Sequence, residues 1–186
     1  MNILIISGTN RTGSMSLKVA KKLELQYAAE GIAAKVLDLA TLPQEIFVPT
    51  IYKEKPESFT PFHDAVLGAD GIVFVVPEYN GSYPGVLKYF IDLWAYPEAF
   101  EGRKIAYIGL SAGVWGGLRS VEHLQGVMGY RNAFQFPERI FLNLIYARWD
   151  FETSTVKKLN EKEYDIELLI ASQTKNFIQF CENNKK

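Results

Sequence analysis

Two unbroken apolar runs, Ile3–Ile6 and Gly71-Ile-Val-Phe-Val-Val76, constrain this chain most, because a strand without polar alternation must be covered on both faces. Segments of helical period separate such runs along the chain. That alternation is the pattern of a parallel sheet held between two layers of helices. Residues 14–30 predict a first helix, with Ala20, Leu23 and Tyr27 on one stripe, Lys18, Lys21, Lys22 and Glu24 mostly outward, and Gly31 at its end. A second strand, Ala34–Leu39, follows. The stretch 43–62 carries four of the eight prolines and little periodicity, so it is expected to be a long surface loop of the functional or mobile kind. Pro61–Ala69 predicts a helix leading into a strand at 72–76, and 84–94 another helix with Val86, Phe90, Leu93 and Trp94 inward. Lys104–Leu110 predicts the fourth strand, followed by a glycine-rich loop and a helix to about residue 128. Phe134-Gln-Phe136 is the candidate fifth strand, with 139–146 as a further extended piece. The last helix is expected over roughly 161–183, with Ile166, Leu169, Ile170, Phe177, Ile178 and Cys181 on one face.

At 186 residues, with neither repeat nor linker, the chain reads as a single domain spanning 1–186. Twenty Lys and Arg against 21 Asp and Glu give a net charge of -1, which argues against nucleic acid or membrane as a partner and makes any anion site local. The lone Cys181 excludes an intrachain disulfide and a cysteine zinc cluster. Neither His63 nor His123 has a Cys or carboxylate at metal-ligand spacing, so no metal is expected. The start, Met1-Asn-Ile-Leu-Ile-Ile6, lacks the marks of a secretory leader, and the expectation is a cytoplasmic protein.

Candidate chemistry collects at strand carboxyl ends, where open α/β sheets bind ligands. Ser7-Gly-Thr-Asn-Arg-Thr-Gly-Ser14 follows the first strand, but glycines only at 8 and 13 do not make the dinucleotide fingerprint. A Walker A loop also fails, since Ser14 and Met15 stand where Lys and a hydroxyl are needed. What remains is a hydroxyl-rich turn with one arginine. Thr9, Arg11, Ser14 and Ser16 at a helix start could nest a phosphate monoester, or Ser14 could simply cap the helix while Thr12-Gly13 turns the chain. The loop 77–85, Pro-Glu-Tyr-Asn-Gly-Ser-Tyr-Pro-Gly, offers small residues for close backbone approach to a flat polar ring and Tyr79 as an aromatic wall; alternatively, it is only punctuation. Ser111-Ala-Gly-Val-Trp-Gly-Gly117 ends the fourth strand, and Trp115 is a candidate wall for a substrate. Ser111 lacks the Gly-x-Ser-x-Gly elbow of a hydrolase, and Asp38 reads as a turn or cap residue.

Together these loops resemble the NADPH-dependent FMN reductase family of flavodoxin-like proteins over residues 1 to about 130. Gly8-Thr-Asn-Arg-Thr-Gly-Ser-Met-Ser16 is similar to the family's Gly-Ser-x-Arg-x-x-Ser-x-Asn, with Ser16 in place of Asn. Pro77 through Lys88 matches Pro-Glu-Tyr-Asn-Gly-Ser-x-Pro-Gly-x-Leu-Lys, and Ser111, Gly113, Gly116, Gly117 and Arg119 match the third motif. Departures follow: Leu87-Lys-Tyr-Phe-Ile-Asp-Leu93 delays the family's tryptophan to 94, and His123-Leu-Gln125 replaces His-Leu-Arg. The resemblance implies a three-layer sandwich around a five-stranded parallel sheet of order 2-1-3-4-5. It implies bound FMN, with Thr9, Arg11, Ser14, Met15 and Ser16 at the phosphate, and Pro77, Glu78, Tyr79, Asn80, Gly81, Ser111 and Gly113 around the ring.

The implied activity is ping-pong transfer of hydride from NADPH or NADH, through FMN, to a small acceptor such as a flavin or quinone. No catalytic side chain is expected, because the cofactor carries the chemistry. A homodimer or homotetramer is expected. The rival readings are an electron carrier of flavodoxin type acting with protein partners, which near-neutral charge disfavours, and a flavin-free module binding a phosphate ligand.

Overall fold

The computed structural model describes residues 1–184. Its chain order is β1 (Asn2–Ser7), α1 (Met15–Ala29), β2 (Ala33–Asp38), α2 (Thr60–Leu67), β3 (Gly71–Pro77), α3 (Gly85–Asp92), β4 (Lys104–Leu110), α4 (Leu118–Tyr130), β5 (Phe134–Leu142), α5 (Ile145–Arg148), β6 (Trp149–Asp150), β7 (Thr155–Val156) and α6 (Ile166–Asn183). The main sheet is parallel with order β2-β1-β3-β4-β5, the flavodoxin-like order. β6 and β7 form a separate antiparallel hairpin.

The apolar strands divide their side chains between two cores by the two-residue period of a strand. Leu4, Ile6, Ile72, Phe74, Val76, Ile105 and Tyr107 face one core, shared with α2, α3 and α4. Ile3, Ile5, Val73, Val75, Ala106 and Ile108 face the other, against α1 and α6. Both layers are therefore needed to keep the central strands dry. In the first core Phe74 stacks between Trp94 and Tyr107, at centroid distances of 6.0 and 6.1 Å.

Three segments depart from the sequence expectation. The two extended pieces at 134–136 and 139–146 are one strand, β5, which continues past Pro137 and ends at Leu142. Its pairing with β4 shifts register between Ile105 and Tyr107, and an edge strand with such an irregularity tolerates the missing proline N–H. The last helix begins at Ile166, because Asp165 caps it through the amides of Glu167 and Leu168. Leu169 is 43% exposed and lies off the buried face. The stretch 43–62 is tied down by Ile46, Ile51 and Phe59, all buried, and contains short 3-10 turns before α2 opens at Thr60. The Tyr89 hydroxyl also donates to the Ile46 carbonyl.

The hairpin and the turn beyond it are clamped by Arg148, which is 3% exposed. Its Nε donates to both oxygens of Asn143 at 2.9 Å, and its guanidinium grips Glu163 at 2.6 and 2.9 Å. The Arg148 hydrogen bonds, then the Leu159 amide, hold the Glu163 carboxyl down at about 2 from an ordinary 4.5. A depressed carboxylate stabilises the folded form above its unfolded pKa, so the clamp is at full strength above pH 4.5 and is lost as pH falls through about 2. The hydrogen-exchange protection factor of the Leu159 amide, which donates to Glu163 at 2.9 Å, is expected to fall across that window before global unfolding. Unchanged protection down to pH 2 would remove the clamp.

Candidate functional site

The carboxyl ends of β1, β3, β4 and β5 are stitched together by main-chain hydrogen bonds. Gly8 N–H donates to Val75 O at 2.9 Å, Glu78 N–H to Leu110 O at 3.0 Å, and Ser111 N–H to Leu142 O at 3.2 Å. The loop after each strand is thereby registered on its neighbour. A cleft of about 260 Å³ opens between them, lined by Arg11, Ser14, Met15 and Ser16 from the first loop, Pro77, Glu78 and Tyr79 from the second, and Leu110, Ser111 and Ala112 from the third. Ile145 and Tyr146 complete it.

At the β1 end, Ser14 caps α1 by accepting the Leu17 amide at 3.1 Å, so the capping role is realised. The helix start presents further main-chain N–H groups and the positive end of its dipole. Ser16 is 1% exposed and its Oγ has no hydrogen-bond partner. A buried hydroxyl left unpaired costs about 1–3 kcal/mol. The Arg11 side chain is exposed and makes neither ion pair nor hydrogen bond among the described residues. Unpaired hydroxyl, unpaired cation and helix start together could hold a phosphate.

Further along the cleft, Glu78 Oε2 is also buried without a donor, a want that the imide N–H of a flavin ring could meet. Thr9 is buried, and its Oγ1 pairs with the Tyr79 hydroxyl at 3.0 Å, tying the first loop to the second. Asn80 and Gly81 take positive φ of 53° and 78° in the turn between Tyr79 and Ser82. Ser82 in turn meets His123 Nδ1 at 2.9 Å, which fastens this loop to α4. In the third loop, the Ser111 hydroxyl donates to Gly113 O at 3.0 Å.

Of the residues expected at the site, Arg11, Ser14, Met15, Ser16, Pro77, Glu78, Tyr79 and Ser111 come together in the cleft. Thr9, Asn80, Gly81 and Gly113 support it from outside its lining. Trp115, expected as a substrate wall, is 67% exposed and lies outside the lining. Leu110, Ala112, Ile145 and Tyr146 were not expected there. The rule that ligands sit at strand carboxyl ends, applied to the end of β5, is the signal that points to the last two.

Other chemistry is poorly placed. Burial pushes the Cys181 thiol up to about 12, and it sits at the amino end of the sheet beside Gly71. No cluster of three or more His, Cys, Asp or Glu side chains among the described residues could hold a metal, and none of the described helices is long and apolar enough to cross a membrane. Larger hollows lie at the amino ends of the strands, between β2 and α2, and along α1, but among the described residues none of the three is lined by a buried unpaired polar side-chain atom.

The cleft residues fit FMN, and the test that separates a ligand cradle from a packing defect is a change of sign. Ser16→Ala removes an unsatisfied hydroxyl, so the cofactor-free protein should be as stable as wild type or more so. Affinity for FMN should fall by about 1.5–3 kcal/mol, roughly 10- to 150-fold, through loss of a bond to a charged group. Urea unfolding and fluorescence titration read the two effects. Equal FMN affinity in variant and wild type would take Ser16 out of the cradle.

Residues 1–144 match the family model described as NADPH-dependent FMN reductase. A quinone reductase of Pseudomonas putida is 33% identical over 120 residues, covering 62% of this chain and 63% of that protein, so the match spans less than two thirds of the relative's length. A 2-hydroxy-1,4-benzoquinone reductase of a Burkholderia species is 31% identical over 133 residues, covering 70% of this chain and 71% of that one. Among solved structures, the flavoenzyme NAD(P)H:(acceptor) oxidoreductase FerB of Paracoccus denitrificans superposes with a TM-score of 0.79 at 22% identity, covering 98% of each chain. A flavodoxin from Pseudomonas aeruginosa shares the fold at a TM-score of 0.62 and 17% identity, covering 96% of this chain and 99% of its own.

Proposed function

This chain belongs to the NADPH-dependent FMN reductase family, and from that membership we propose that it is an FMN-dependent oxidoreductase acting on a small acceptor. The observation that carries the reading is the convergence, in one cleft, of an unpaired cation, a buried unpaired hydroxyl and a buried unpaired carboxylate oxygen from two different strand ends. Arg11, Ser14, Met15 and Ser16 hold the phosphate, with Thr9 fixing the loop behind them. Pro77, Glu78, Tyr79, Asn80 and Gly81, with Ser111 and Gly113, frame the ring. FMN held there would supply the redox chemistry, a two-electron exchange between NADPH or NADH and a flavin, quinone or similar acceptor that would follow a ping-pong order. The protein's own work is to place the ring against main-chain donors and shield one side of it from water. The quinone-reductase names of the relatives favour a quinone as acceptor.

The reading includes a cytoplasmic location and a homodimer or homotetramer. Tyr52, Tyr96 and Tyr130 are each more than half exposed and could supply apolar contacts between subunits. Sedimentation of the purified protein tests that point. Anaerobic addition of NADPH to the FMN-loaded protein tests the activity. Direct bleaching at a stoichiometry of one is expected. Absence of bleaching, with reduction only through a partner reductase, would instead favour the electron carrier.

A further inference from the structure

We propose that Tyr146 determines which acceptors this enzyme takes, by forming the aromatic wall of the cleft at its β5 end, and that the Arg148 clamp is the device that positions it. The inference rests on the flavin-reductase reading of the cleft. It concerns residues outside the family match, which ends at 144.

Tyr146 lines the cleft and is 57% exposed, while its neighbour Ile145 is only 2% exposed and anchors the turn in the core. The Tyr146 hydroxyl has no hydrogen-bond partner among the described residues. A large aromatic left open in a cleft, with its polar tip unspent, is the form that ligand-contacting tyrosines take. The sheet order gives its place. β1 and β5 are separated by three strand spacings, about 14 Å. The hydroxyl and cation cradle sits at the β1 end, so Tyr146 stands at the other, beside the third loop, toward which the ring of a phosphate-anchored cofactor would extend.

The ring is held there at a cost. Leu144 is forced to φ 49°, a left-handed conformation that costs a branched L residue about 1–2 kcal/mol. Its amide donates to Gly113 O at 3.0 Å, and the Ile145 amide to Ser111 O at 3.0 Å, so the turn is fastened to the third cleft loop. From the other side, Arg148 joins Asn143 to Glu163. These contacts fix the approach of Tyr146 to Ser111 and Ala112.

A rigid aromatic wall favours flat, conjugated acceptors. The free hydroxyl adds a secondary contact, since it can donate to a carbonyl oxygen that gains negative charge as it is reduced, but the ring carries the preference. The class is therefore the quinones. Their reduction takes two electrons and one proton as the hydride equivalent leaving NAD(P)H, plus one proton from water; both carbonyls become hydroxyls and the nicotinamide leaves oxidised.

The test compares 1,4-benzoquinone with ferricyanide, a compact inorganic ion that takes one electron at a time and needs no stacking. For each FMN-loaded variant the ratio of kcat/KM for benzoquinone to kcat/KM for ferricyanide is measured, after FMN content is read from the absorption spectrum. Tyr146→Ala is expected to lower the ratio by at least about fivefold, chiefly through KM for the quinone. Tyr146→Phe, which keeps the ring, should recover most of it. Glu163→Gln, which weakens the clamp without touching the cleft, should lower the ratio in the same direction. A smaller change in the alanine variant, or a phenylalanine variant as impaired as alanine, overturns the wall. A Glu163→Gln ratio equal to wild type overturns the positioning role. An alanine variant that has lost FMN while wild type keeps it assigns Tyr146 to the cofactor and also overturns the proposal, whereas a wild-type protein that takes up no FMN removes the underlying reading itself.

Discussion

Gly117→Ala is expected to destabilise the protein by about 2–5 kcal/mol and to deprive it of FMN. The residue sits at φ 84°, and a Cβ there would lie 2.5 Å from the Leu110 amide nitrogen and 3.0 Å from the Gly109 carbonyl carbon. Backbone cannot swing aside as a flexible side chain would, so β4 or the third loop must move. Gly109 shows the same constraint from the strand side, since a Cβ there would meet Gly116 O at 2.8 Å. Left-handed strain accounts for about 1–2 kcal/mol and overpacking for about 1–3 more. For a domain of this size that corresponds to a fall in Tm of roughly 5–15 °C. Gly81→Ala provides the control, because its φ is 78° but nothing lies within 4 Å of the added atom. It should cost only the strain, about 1–2 kcal/mol. Equal losses in the two variants, measured by urea unfolding, would mean that the third loop does not pack against β4 as described.

Arg11→Ala should weaken FMN binding by about 2 kcal/mol, or roughly 30-fold, while leaving the stability of the cofactor-free protein near wild type. The asymmetry follows from its surroundings, since the guanidinium is exposed and makes no hydrogen bond or ion pair among the described residues. Nothing in the fold depends on it. Because the site is open to solvent, the wild-type affinity for FMN should also fall with ionic strength, and the variant's should fall less. Riboflavin, which lacks the phosphate, should bind both proteins alike. An unchanged FMN affinity, or an equal loss for riboflavin, would place the phosphate elsewhere.

The layers of the fold were legible because the signals behind them are strong and local. Runs such as Ile72–Val76 are too apolar to face water on either side, and Gly31 marks the end of the α1 period. The motif loops were legible for the same reason: residue type and spacing are visible in the chain. What stayed hidden depended on distant partners. Pro137 reads locally as a strand breaker, and only the irregular edge pairing with β4 lets β5 run through it. The stretch 43–62 reads as unattached because its anchors, Ile46, Ile51 and Phe59, are single apolar residues without period. The start of α6 at Ile166 is not legible locally, since the Asp165 cap is one acid among several in that polar stretch.

Within the site, the first and third loops were found by their hydroxyls and glycines. Trp115 was expected to wall the cleft because its loop does, yet loop membership does not fix the side-chain direction. Gly116 and Gly117 pack against backbone on either side of the sheet end, and Trp115 is left in solvent. Tyr146 is hidden in the sequence for the opposite reason. Its neighbours suggest an extended piece, and its exposure in the cleft depends on a left-handed leucine and a buried arginine that no local pattern announces.

The central claim is that loops at the ends of β1, β3 and β4 form one seat for FMN. Reconstitution followed by gel filtration and an absorption spectrum tests it most directly. One FMN per chain retained by the wild-type protein, and a clearly smaller fraction retained by Arg11→Ala and Ser16→Ala, is the expected result. A protein that emerges colourless from excess FMN, or variants that retain as much as wild type, would contradict it.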